Sequence, residues 1–201
     1  MSYWEHRKPV HRSRAVDVRD IARISVELLN EGGLRALTIR TVAAQLEVAP
    51  ASLYSRIASV DDLFDLALDE ALGQDAQVQQ AAEQAGLHAL LLAWYRHLVR
   101  HPWACQVIAM RAPRGPHYLR LSDRICVLLS EGVSADPLSD AYAVSNFVIG
   151  SATTVHVAGD ERNAAVDDRI APFYASLHAE HAVDAEAVLN AGLRALLSLS
   201  R

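Results

Sequence analysis

Residues 37–57 read Leu37-Thr38-Ile39-Arg40-Thr41-Val42-Ala43-Ala44-Gln45-Leu46-Glu47-Val48-Ala49-Pro50-Ala51-Ser52-Leu53-Tyr54-Ser55-Arg56-Ile57. Behind Thr38, a residue type suited to an N-cap, the apolar Ile39, Val42, Ala43 and Leu46 recur at helical spacing and predict a first short helix. Glu47-Val48-Ala49 forms a tight turn, and Pro50, favoured at the first helical position, opens a second short helix predicted over 50–57. Leu53 and Ile57 lie four apart and pack inward, leaving Ala49, Ala51, Ser52, Ser55 and Arg56 outward and Tyr54 on the flank. An apolar helix, a three-residue turn and a second helix with one buried and one exposed face make a helix-turn-helix. Small outward residues let the second helix sink into a major groove, where Ser and Arg can contact base edges and a flanking phenol can reach phosphate. The predicted partner is therefore double-stranded DNA.

Working outward, Ile21, Ala22, Ile24, Ser25, Leu28 and Leu29 continue a helical pattern from Val18 that Gly32-Gly33 stops, which supplies the first helix of a three-helix unit. On the other side Ser59 caps a new helix, with Asp61 and Asp62 in the turn where the helix dipole favours acids and Leu63, Phe64, Ala67, Leu68 and Leu72 behind them. The stretch 73–86, rich in Gln and Ala and poor in large apolar residues, reads as a helix end and connector and as the domain boundary. Further helices are predicted at about 87–101, 103–112, 116–131, 136–158, 167–180 and 184–199, with no strand and no internal repeat. The expected fold is all-α, with a basic arm over 1–16, a helix-turn-helix DNA-binding domain over 17–58, a connecting helix over 59–72 and a larger helical domain over 73–201.

Composition agrees with that class. Of 201 residues 51% are hydrophobic but only 6% aromatic, so the apolar content is mostly Ala, Leu and Val. No apolar run reaches the roughly 18 residues a membrane span needs, and Met1–Arg14 is basic without an apolar segment behind it, so a cytoplasmic protein with no membrane contact is expected. Cys105 and Cys126 are too few for a disulfide framework or a thiolate metal site. The net charge of −5 is uneven: residues 1–56 hold nine Lys and Arg against six acids, a balance of +3, which leaves −8 for the remainder. A basic end on an acidic body suits a protein that holds a polyanion at one end.

The segment from Val18 to Leu72 resembles the TetR family of regulators, through Leu37-Thr38 opening the second helix, Leu53-Tyr54 in the recognition helix and Asp61-Asp62-Leu63 at the start of the fourth. The resemblance implies that Arg40, Ser52, Ser55 and Arg56 contact bases or phosphates, that Tyr54 contacts a phosphate and that Thr38 caps its helix beside the backbone, with Ala51 on the same face. Two positions depart from the pattern. Glu47 stands where the family usually has glycine, which requires a strained backbone or a changed turn and sets an acid near DNA. Val60 stands where a phosphate-gripping lysine is frequent. The tail of Arg7, Lys8, His11, Arg12 and Arg14 either compensates by lying along phosphates or in the minor groove, or is a solvated terminus.

From Leu87 to Gly159 a second, looser resemblance links His101-Pro102-Trp103, Arg111 to Pro116, Gly132-Val133-Ser134 and Gly150 to the effector domain of the tetracycline-repressor branch. That branch implies a small-molecule effector, expected among Trp94, His97, His101, Met110, Tyr118, Leu121, Asn146, Phe147 and Thr153, although each position also fits a packed core. Founding members hold a magnesium–drug complex with histidines. Here the matching positions carry His101, Asn146 and Thr154, so metal-free binding without cofactor is expected; His97 and His101 share a helix face but lack a third ligand. Apolar stripes over 136–158 and 184–199 suit a homodimer's four-helix bundle. The function expected is a repressor that binds a palindromic operator as a dimer and is released by a small hydrophobic effector. The rivals are an adaptor whose helix-turn-helix docks on protein and a small helical enzyme, the latter without a supporting motif.

Overall fold

A computed structural model describes residues 2–6, 16–132, 134–155, 164–181 and 183–199, which form eleven α-helices and contain no strand. Helix α1 (Val18–Gly32) starts under Asp17, whose carboxylate accepts the Arg19 N–H at 2.9 Å, and buries Ile21, Ala22, Ile24, Ser25 and Leu29 on one stripe. It ends where Gly33 takes φ +63°, a geometry that costs glycine nothing. A single 3₁₀ turn, Gly33–Ala36, leads to α2 (Ile39–Gln45), the Glu47–Ala49 turn and α3 (Pro50–Leu53).

Helix α3 is shorter than the predicted 50–57: beyond Leu53 the chain continues as turns, with the Arg56 and Ile57 N–H groups both on the Leu53 carbonyl at 2.8 and 3.0 Å. Ser55 explains part of this, since its hydroxyl donates to the Ser52 carbonyl at 2.8 Å and competes for the helix's own acceptor. Helix α4 (Val60–Gln74) follows and packs along α1. The stretch read as a connector instead forms α5 (Ala76–Gln84), capped by Asp75 on the Gln77 and Val78 N–H groups. Ala and Gln are good helix formers, and a helix that buries only Val78 leaves no apolar stripe to read.

The chain groups into two compact units, Met1–Ala85 with His101–Ile125, and Gly86–Arg100 with Cys126–Arg201. The sequence suggests a single boundary near 73–86; packing adds residues 101–125 to the first unit. Those residues include α7 (Pro102–Met110), whose Trp103, Ala104, Cys105 and Val107 are buried and which contacts α4, and the first turns of α8 (Pro116–Glu131).

In the second unit α6 (Leu87–Arg100), α9 (Pro137–Thr154) and α11 (Ala185–Leu199) pack on one another, with Leu90, Leu91, Trp94, Val144, Val148, Leu189 and Leu193 buried. Arg96 clamps Glu186 with two guanidinium N–H groups, at 3.1 and 2.6 Å, tying α6 to α11. The helix predicted over 136–158 ends at Thr154, and 156–163 lie outside the described residues. The one predicted over 167–180 begins only at Pro172, as α10 (Pro172–Glu180). Before it, 167–171 form a turn closed on the Asp167 carbonyl, because the residue preceding a proline is pushed out of helical geometry. No helix among the described residues is long and apolar enough to cross a membrane.

Candidate nucleic-acid interface

Thr38 and Thr41 cap α2 reciprocally: the Thr38 hydroxyl oxygen accepts the Thr41 N–H at 3.1 Å and the Thr41 oxygen accepts the Thr38 N–H at 2.9 Å. Such a box contributes on the order of 1 kcal/mol and fixes where α2 begins. Its far end closes with the Glu47 N–H on the Ala44 carbonyl at 3.1 Å and the Val48 N–H on the Ala43 carbonyl at 3.0 Å, the paired bonds of a Schellman turn. The turn needs a left-handed residue, and Glu47 supplies it at φ +54°. Of the two outcomes open from sequence, a strained backbone or a changed turn, the strained backbone is found, at about 1 kcal/mol relative to glycine.

Leu53 and Ile57 are buried at 0% and 3% exposure and hold α3 to its support. Ala51 and Ser52 on it, and Tyr54 and Ser55 in the turn after it, lie exposed, as do the cap Thr38 and Arg40 of α2. Arg56 is only half-buried at the surface: its Nε donates to the Val16 carbonyl at 2.9 Å, so part of this guanidinium holds the entry to α1. Arg12 and Arg14 lie outside the described residues.

The arm residues Arg7, Lys8 and His11 also lie outside the described residues, but residues 2–6 ahead of them are folded onto the helices. Tyr3–Glu5 form a 3₁₀ turn on α4, with Tyr3 1% exposed; the Ser2 hydroxyl and the Tyr3 N–H both donate to Asp65, at 3.0 and 2.8 Å, and the His6 ring meets Asp62 at 2.9 Å. Reading the segment for its charge passed over Tyr3-Trp4, two aromatics that a purely solvated tail would not carry in tandem.

Sequence reasoning also missed what α4 does with its acids. Asp62, Asp65 and Asp69 recur at i, i+3 and i+7 and are all buried. Asp62 accepts the Ala58 N–H at 2.6 Å, closing the start of the helix. Asp65 receives Arg111 Nε at 2.9 Å besides Ser2 and Tyr3, while Arg111 Nη1 reaches the exposed Asp61 at 3.2 Å. Asp69 caps α8 by accepting the His117 and Tyr118 N–H groups at 2.8 and 3.1 Å. Burial pushes its carboxyl above the ordinary 3.8, and the two backbone N–H groups with nearby His117 and Arg120 pull it back. Gly115 is required beside it, since any Cβ there would collide with the Asp69 carboxyl group. A buried Asp in a helix interior, a poor helix former at a core position, was the available signal.

The nine positions expected to line an effector site divide between the two units. In the first, His101 Nδ1 meets Asn30 Oδ1 at 2.9 Å beside the Trp103 indole N–H, which donates to the same oxygen at 2.8 Å. Met110 is 58% exposed, Tyr118 is half-buried with its N–H on Asp69, and Leu121 is buried. In the second unit Trp94 and His97 are buried on α6, Asn146 is exposed, Phe147 stands half-buried against Gly192, and the exposed Thr153 returns its hydroxyl to the Ile149 carbonyl at 2.7 Å. Among the described residues no three His, Cys, Asp or Glu side chains converge as metal ligands would.

No protein-family model matches the chain. It is similar to an HTH-type transcriptional regulator of Saccharopolyspora erythraea, 32% identical over 159 residues, which are 77% of this chain and 67% of that protein. It is also similar to the HTH-type transcriptional repressor DrrR1 of Streptomyces coeruleorubidus, 29% identical over 140 residues, 66% of this chain and 51% of that one. The chain thus spans about two thirds of the first relative's length and about half of the second's. Among solved structures, a possible TetR family transcriptional regulator from Streptomyces coelicolor A3(2) superposes with a TM-score of 0.77 at 25% identity, covering 90% of this chain and 97% of that chain. The S. coelicolor TetR family protein ActR in complex with actinorhodin gives 0.72 at 20% identity, covering 92% and 95%.

Proposed function

The chain belongs to the TetR family of transcriptional regulators, and we propose that it acts as a dimeric repressor that holds a palindromic operator in duplex DNA and releases it when a small hydrophobic effector binds. One observation carries the DNA-reading part: over the buried anchor of Leu53 and Ile57, α3 and the turn that follows it present outward Pro50 and the small or polar Ala51, Ser52 and Ser55, with Tyr54 beside them. Such a face enters a major groove without a steric bar, and Thr38 and Arg40 on α2 reach the flanking backbone. Arg12 and Arg14, basic residues shortly before α1 in sequence, add to the phosphate contacts.

Dimerisation is read from α9 and α11. Each buries one apolar stripe inside the protomer, yet Leu138 and Tyr142 on α9 and Val188 on α11 stand 61%, 65% and 52% exposed, apolar side chains that call for a partner. Two recognition helices placed about 34 Å apart by that dimer read successive major grooves. For the effector, buried Trp94 and His97 on α6 offer an apolar wall with one polar group, and the likeness to ActR, solved with actinorhodin, supports a ligand in a helical body of this kind. Coupling of about 1–3 kcal/mol between effector and DNA suffices for release.

The test is selection of binding duplexes from random DNA by the purified chain, followed by affinity measurements on Arg40→Ala and Tyr54→Phe, two exposed changes that leave the core intact. An inverted repeat should be enriched, and each variant should weaken binding about tenfold or more, since every dimer loses two contacts to charged phosphate. Parent-like affinity in both folded variants, or no enrichment, removes the assignment.

A further inference from the structure

Among the described residues Glu47 is the one non-glycine residue with positive φ. The backbone bonds that put it there, from its own N–H to Ala44 and from Val48 to Ala43, use no part of its side chain, and glycine would make them without strain. The side chain is exposed, and among the described residues no hydrogen bond or ion pair engages its carboxylate. Its charge is therefore not serving the fold. Residues 38–57 carry only two cations, Arg40 and Arg56, and the latter has its Nε on the Val16 carbonyl. An uncompensated acid sits at the turn between the two helices that would meet a polyanion.

We infer that Glu47 is an electrostatic brake on DNA binding: its carboxylate repels phosphates at the groove edge and lowers affinity for duplexes of every sequence. Non-operator DNA then stays largely unoccupied, and operator affinity stays within reach of an effector's coupling energy. The inference rests on the proposed DNA-reading role of α2 and α3.

The experiment compares the parent, Glu47→Gln and Glu47→Gly on the selected operator duplex and on a scrambled duplex of equal length, at two salt concentrations, with a melting curve for each protein. Glu47→Gln, which keeps the strain and loses the charge, should bind both duplexes tighter by about three- to tenfold per dimer, with unchanged base preference and a smaller gain at high salt. Glu47→Gly should do the same and also melt higher. Unchanged affinity of Glu47→Gln on both duplexes overturns the brake. So does weaker binding to the operator alone with lost preference at one base pair, which would make Glu47 an acceptor for a cytosine amino group. A parent that binds neither duplex overturns the DNA-reading role itself, and the brake with it.

Discussion

Asp69 carries a buried carboxylate whose two good partners are backbone N–H groups rather than a cation, so its charge is held at a cost. Its pKa lies above the ordinary 3.8 because burial disfavours the ionised form. A group raised on folding lends stability that is full below about 3.8 and is lost as pH rises through its folded value. Asp69→Asn keeps an oxygen for the His117 and Tyr118 N–H groups and removes that loss. Thermal unfolding should therefore find the variant melting at or above the parent near pH 7, with the advantage gone near pH 4. A variant several degrees less stable at both values would show that the charge itself is what the α8 cap needs. Local residues of this kind were readable in unequal measure. Thr38, Leu53 and Ile57 act on neighbours within a few positions, so spacing predicts them, whereas Asp69 finds its partner 48 residues along the chain, beyond any window of periodicity.

At the scale of elements, α4 is held through its acids as much as through its apolar stripe. Removing the Arg111 guanidinium leaves Asp65 buried with only the Ser2 hydroxyl and Tyr3 N–H for company. Arg111→Met should cost about 3 kcal/mol, at the lower end for a broken buried pair because those two donors remain, and Asp65→Asn in the same chain should restore part of it. In a protein of this size that is a fall in Tm of roughly 6–12 °C, with partial recovery in the double variant. Additive losses in the two variants would mean that the pair is not coupled. The helices themselves were legible wherever an apolar stripe had a clear start and stop, as in α1, α2, α4, α6 and α8. The failures share a cause: α5 buries one residue, α3 is cut short by a serine bonding its own turn, and α10 is delayed by Pro172, none of which alters hydrophobic periodicity.

For the whole molecule, the grouping of 101–125 with the N-terminal helices could not be read from sequence, because His101 and Trp103 close on Asn30 more than 70 residues earlier. The positions expected to line an effector site were mostly apolar or aromatic residues at helical spacing, a pattern that a core and a cavity share, and one of them, Met110, stands exposed. Of the apolar circumference expected on α9 and α11, Val144, Val148, Leu189 and Leu193 are buried within the protomer, while Tyr142 and Val188 stand outward. Tyr142→Glu with Val188→Glu should convert a dimer into a monomer in sedimentation, and should reduce affinity for a two-site duplex to that of a half-site; a variant that still sediments as a dimer would place the interface elsewhere. The decisive measurement is the affinity and stoichiometry of the purified chain on its selected operator as salt is raised. A dimeric DNA reader predicts two protomers per duplex and log affinity falling linearly with log salt, at a slope near −0.9 for each phosphate neutralised. Association that ignores salt, or an absence of preference for any duplex, would contradict it.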